Sequence, residues 1–119
     1  MKEFLALLFA KYIVFKNSYW LSNPIKTQEK IMFSLLRKAK NTSFGKDLMF
    51  SKINSYDDFK RFIPITDYEG IKPYVERALS GEKNVLWPGK PIYFCKTSGT
   101  TSGVKFIPIS NSSIKNHIR

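Results

Sequence analysis

Nine consecutive residues, Thr97-Ser98-Gly99-Thr100-Thr101-Ser102-Gly103-Val104-Lys105, concentrate groups that favour negative charge. Gly99 and Gly103 lack a Cβ, so the backbone there can turn sharply and approach an anion closely. Successive backbone N–H groups in such turns form an anion-binding concavity. The hydroxyls of Thr97, Ser98, Thr100, Thr101 and Ser102 can donate to phosphate oxygens or reach a metal-bound water. Lys105 adds a compact positive charge two residues beyond the last glycine. The chemistry expected is that of a triphosphate cradle. The string is not a Walker A loop, which needs G-x-x-x-x-G-K-[ST]; here the glycines are four apart and the lysine follows one residue later. The plainer alternative is a Ser/Thr/Gly hairpin with no ligand, since turns collect these residue types.

The flanks predict what holds this loop. Ile92-Tyr93-Phe94-Cys95 and Phe106-Ile107-Pro108-Ile109 are short apolar runs of strand type, one on each side of it. Trp87-Pro88-Gly89 marks a turn before the first, and a helix is expected from about Asn111. Residues 1–90 read as mainly helical, 91–110 as strand, phosphate loop and strand, and 111–119 as the start of a helix.

Upstream, the helix signals can be named one by one. Residues 3–16 are apolar almost all round, which predicts a buried docking helix. Ser22-Asn23-Pro24 starts a second helix running to about Lys40, with Ile31, Met32, Leu35, Leu36 and Ala39 on one face and Asn41-Thr42-Ser43 and Gly45 ending it. Ser55 and Asp58 form a capping box, and Pro64 stops the helix that follows. Thr66 and Glu69 read as a second box, leading into Tyr68, Ile71, Val75, Ala78 and Leu79. Pro73 inside that pattern predicts a kink or a late start, and Gly81 a left-handed stop.

Composition narrows the classes. The chain has 119 residues, 43% of them hydrophobic, which suits one small domain with a single core. Its +11 charge favours anionic partners without choosing among them, and the basic residues are spread evenly along the chain. Such a spread fits a solvated surface better than a nucleic-acid stripe. Cys95 is the lone cysteine, which excludes an intrachain disulfide and points to a reducing cytoplasm. Phe4–Phe15 is too short to span a bilayer, leaving an interfacial membrane helix as the alternative to docking. The last residues open a helix with no closing signal, so the chain is expected to be the beginning of a longer domain.

The loop also carries a resemblance. TSGTTSG-x-K looks like the phosphate loop of the acyl-adenylating enzymes, and the serine before its second glycine is similar to the Gretchen Hagen (auxin-responsive) family of acyl-acid-amido synthetases in its bacterial form. The likeness extends over roughly residues 25–119. It takes in Gln28, Thr42-x-Phe44-Gly45, Pro64-x-x-Asp67-Tyr68-Glu69, Pro73-Tyr74-x-Glu76-Arg77, Gly81-Glu82 and Val85-Leu86-Trp87-Pro88-Gly89. The resemblance implies an α/β adenylation domain whose N-terminal part is a layer of four to five helices followed by the loop-bearing hairpin. It implies ATP and Mg2+ as cofactors, and a carboxylic acid and an amine or amino acid as substrates. Thr97–Gly103 would wrap the β- and γ-phosphates, Lys105 would act catalytically on the departing pyrophosphate, and no cluster of protein side chains would ligate the metal directly. The family's later motifs and C-terminal domain lie beyond these 119 residues, so this segment alone is expected to be inactive.

Other candidates read more plainly. Cys95 is expected to pack, His117 to lie on helix surface, and Trp20 and Trp87 to anchor packing. A small basic nucleic-acid-binding module and a membrane-surface protein stand as the other function classes. Neither accounts for the nine-residue string.

Overall fold

A computed structural model of the chain describes residues 2–97 and 103–117, except for the side chains of Tyr19 and residues 115–117. The described elements are six α-helices and two strands. In order they are α1 (Lys2–Ser22), α2 (Pro24–Ala39), α3 (Ser43–Asp47), α4 (Tyr56–Phe62), α5 (Tyr68–Leu79), β1 (Tyr93–Lys96), β2 (Phe106–Ile109) and α6 (Asn111–His117). A 3-10 turn at Phe50–Lys52 lies between α3 and α4. Residues 1–33 and 34–119 form two separate units.

In the first unit the expected burial of the N-terminal helix is not found. Phe4, Leu5, Leu8, Phe9, Val14 and Phe15 of α1 are all exposed, Phe15 at 78%. Helix α1 is also longer than expected, continuing through Lys16-Asn17-Ser18, where the Ser18 hydroxyl donates to the Phe15 carbonyl at 2.7 Å. Trp20, expected to pack, is exposed, its indole N–H donating to Asn17 Oδ1 at 3.1 Å. Among the described residues no helix is long and apolar enough to cross a membrane.

The second unit holds the core: Leu36, Ala39, Ile53, Val75, Ala78, Val85 and Ile109. Thr42 is buried with them, and its hydroxyl is satisfied twice, donating to the Ala39 carbonyl at 2.7 Å and accepting the Gly45 N–H at 3.0 Å. Thr42 and Gly45 therefore do more than end α2: Thr42 caps a new helix, α3. The segment from Asn84 reaches back to this corner, with Ser43 N–H donating to the Asn84 carbonyl at 2.9 Å and Phe44 N–H to that of Val85 at 3.0 Å.

Local signals decide most helix ends here. Ser55 and Asp58 close their box in both directions around α4. Asp58 accepts N–H bonds from Asn54 and Ser55 at 3.1 and 3.0 Å. These bonds, that from Asn54 foremost, hold its carboxyl below the ordinary 3.8. The folded chain then binds this proton more weakly than the unfolded one. The contribution is complete above the unfolded value and is lost as pH falls through the folded one. Asp58→Asn is accordingly expected to flatten the acid limb of thermal stability measured between about pH 5 and pH 2.

At α5 the expected Thr66 box gives way to Asp67. Its carboxylate accepts the N–H groups of Glu69 and Gly70 at 3.0 and 3.3 Å. Thr66 is one residue too early to cap, because the helix starts at Tyr68. Pro73 lies inside α5 without delaying its start. Gly81, at φ +94°, stops the helix as expected, with Gly81 N–H bonding the Ala78 carbonyl and Glu82 N–H that of Arg77, both at 3.1 Å.

Candidate functional site

β1 and β2 pair antiparallel, with Tyr93 opposite Ile109, Phe94 opposite Pro108, Cys95 opposite Ile107 and Lys96 opposite Phe106. The ladder runs one bond further, from Thr97 N–H to the Lys105 carbonyl at 3.0 Å. This register sets Thr97 directly across from Lys105, the two ends of the sequence motif. Of the expected phosphate-binding residues, Ser98, Gly99, Thr100, Thr101 and Ser102 lie outside the described residues. Thr97, Gly103 and Lys105 are described.

Gly103 has φ +78°, a conformation L side chains rarely adopt, while a Cβ there would meet nothing within 4 Å. What glycine supplies at this position is backbone geometry beside open space. Lys105 is half-buried, and among the described residues it forms no ion pair. Its ammonium instead lies 5.6 Å from the centre of the Tyr68 ring. Asp67 and Glu69, which flank Tyr68, are both engaged elsewhere: Asp67 caps α5, and Glu69 pairs with Lys72 at 3.2 Å. A lysine held without a carboxylate partner, beside a glycine with open backbone, suits an incoming polyanion. Among the described residues no group of three or more His, Cys, Asp or Glu could hold a metal ion.

Tyr68 carries a second link. Its hydroxyl accepts the Phe106 N–H at 2.9 Å and lies 3.4 Å from the Phe106 carbonyl. The first residue of α5 thus holds the first residue of β2. No periodicity or spacing signals this contact, because its partners are 38 residues apart. Cys95, expected to pack, is exposed on β1. The backbone of His117 lies in α6, and its side chain, expected on the helix surface, is outside the described residues. Trp87 donates its indole N–H to the Ser112 hydroxyl at 2.7 Å. It helps line a cleft of about 360 Å³ with Leu35, Pro88, Lys90 and Pro108, which none of the described loop residues lines.

Residues 18–119 match the GH3 family N-terminal domain, a stretch that includes all of the hairpin and its loop. The chain belongs to the GH3 family. Similar GH3 relatives include an indole-3-acetic acid-amido synthetase, GH3.2 of Arabidopsis thaliana, 30% identical over 82 residues, covering 68% of this chain and 15% of the relative. A jasmonoyl-L-amino acid synthetase, JAR6 of Nicotiana attenuata, is 31% identical over 91 residues, covering 72% of this chain and 15% of the relative. The 4-substituted benzoates-glutamate ligase GH3.12 of Arabidopsis thaliana is 28% identical over 97 residues, covering 80% of this chain and 17% of the relative. The chain spans about 15–17% of the length of these curated relatives. The described GH3 architecture is mostly helical, with one small antiparallel sheet. Most of α1 precedes the family match.

Proposed function

We propose that this chain is the N-terminal part of an ATP-dependent acid–amine ligase, and that residues 97–105 bind the phosphates of ATP. The family match across the whole hairpin carries this reading. The relatives' names point the same way: an amido synthetase, an amino acid synthetase and a glutamate ligase, each named with an acid it acts on or conjugates. The acid's carboxylate attacks the α-phosphorus of ATP, the bond from that phosphorus to the bridging oxygen breaks, and pyrophosphate leaves with its electron pair. The amine nitrogen then attacks the acyl carbon, AMP leaves, and the nitrogen loses a proton to give the amide.

The described residues suit the first half of this reaction. Gly103 opens the backbone to phosphate oxygens, and Lys105 offers an ammonium uncommitted to any described carboxylate. Charge placed in advance where the leaving group becomes more negative lowers the barrier. Mg2+, when bound, would neutralise phosphate charge. The +11 net charge draws ATP and other anions toward the protein. We place the rest of the adenine and acid sites, and the C-terminal domain, in the remainder of a longer protein acting in the cytoplasm.

The test is acid-dependent exchange of labelled pyrophosphate into ATP by the full-length gene product, with no amine present. The expected result is exchange that appears with a suitable carboxylic acid, and amide formation once an amino acid is added. A full-length protein that binds ATP but exchanges no pyrophosphate with any acid in a broad panel would refute the reading.

A further inference from the structure

We propose that Tyr68 is the positioning residue for Lys105, acting through its ring on the ammonium, while its hydroxyl serves to seat that ring beside β2; this rests on the ligase reading above. Two contacts from one side chain converge on the end of the loop. The hydroxyl holds Phe106 N–H at 2.9 Å, which fixes the first residue of β2. The ring lies 5.6 Å from the ammonium of Lys105, the residue just before it. A tyrosine face attracts a cation without neutralising it, unlike a carboxylate. Lys105 is thereby held with its full charge still available to a phosphate.

Tyr68 is itself set firmly. Asp67 caps α5 from the residue before it, through the N–H groups of Glu69 and Gly70. A side chain at Gly70 would strike the Thr66 hydroxyl, so glycine lets the Thr66–Gly70 turn close as it does. The backbone ladder fixes the other party, since the Lys105 carbonyl accepts the Thr97 N–H. The start of α5 and the end of the loop are joined at one point, where the lysine leaves the hairpin.

A double-mutant cycle on the full-length protein tests this, using Tyr68→Leu, Lys105→Ala and the pair. Tyr68→Leu is expected to lower the maximal rate of ATP–pyrophosphate exchange about tenfold, with a smaller change in the KM for ATP. In the Lys105→Ala background it is expected to change nothing further. Tyr68→Phe keeps the ring and is expected to recover much of the rate. Equal losses in both backgrounds would overturn the proposal, because a merely structural tyrosine damages either protein alike.

A second readout needs no catalysis. The rate at which Lys105 is labelled by an amine-reactive reagent should rise severalfold in Tyr68→Leu and stay near wild type in Tyr68→Phe, with other lysines unaffected. Unchanged labelling in Tyr68→Leu refutes the positioning role, whereas an inert wild type refutes only the ligase reading.

Discussion

Lys105→Ala in the full-length protein is expected to slow acid-dependent ATP–pyrophosphate exchange roughly 100- to 1,000-fold, the scale of losing one preorganised group that stabilises developing charge. Its melting temperature should barely move. Lys105 is half-buried but pairs with no described carboxylate, so truncation leaves no counter-charge stranded. The fold gives up a single cation–ring attraction with Tyr68. The Lys105 carbonyl, which holds the ladder to Thr97, is backbone and survives the substitution. Exchange and thermal unfolding measured on the same preparation separate the two effects. Unchanged exchange would remove Lys105 from the chemistry; a collapsed melting temperature would show that it serves the fold.

Gly45→Ala is expected to act the opposite way, on stability first. Gly45 is buried in α3, and an added Cβ would fall on the Ala39 carbonyl oxygen, 2.9 Å from its carbon and 3.1 Å from Lys40 Cα. All three atoms are backbone at the end of α2, so no rotamer change relieves the clash. α3 has to move away from α2, which disturbs the Thr42 hydroxyl holding Gly45 N–H and the bonds from Ser43 and Phe44 to Asn84 and Val85. Overpacking against a rigid neighbour costs about 3 kcal/mol. For a small domain this is a large share of total stability. Chemical denaturation of wild type and variant measures it. A midpoint that does not shift would mean that the corner yields easily.

Much of the helical layout was legible because its causes are short-range. Ser55 and Asp58 satisfy each other's backbone within three residues, and Gly81 stops α5 by its own φ. The hairpin could be read for the same reason, from two apolar runs around a polar loop, with β1 displaced by one residue from its expected start. Thr66 was expected to cap α5, but Asp67 offers the same chemistry one residue later, and the register of the helix start decided between them. α3 went unseen because Thr42 and Gly45 also make a good helix ending, and five residues are too few to show a period.

The apolar run near the N-terminus shows where pattern ends. Composition identifies it as apolar but cannot say what covers it, and the described structure leaves its large side chains exposed. Cys95 fails similarly. An apolar strand suggests burial, but burial depends on what packs against the face of the sheet, which the strand's own residues do not encode, and Cys95 is exposed.

The candidate site divides along the same line. The loop's residue types and the place of Lys105 in it lie within nine residues, so the expectation of an anion there could be read from the chain alone. The surroundings of Lys105 are a long-range matter. Tyr68 meets Phe106 across 38 residues, Arg77 meets Ser43 across 34, and Tyr74 donates to Asp47 across 27. The Tyr74–Asp47 bond, with burial, raises the tyrosine's pKa. Contacts of this kind depend on how α3, α5 and β2 pack, which no local spacing encodes. Caps, stops and loop composition came from the chain itself; the partner that steadies the loop's lysine came from packing, because only folding brings side chains so distant in sequence within hydrogen-bond reach.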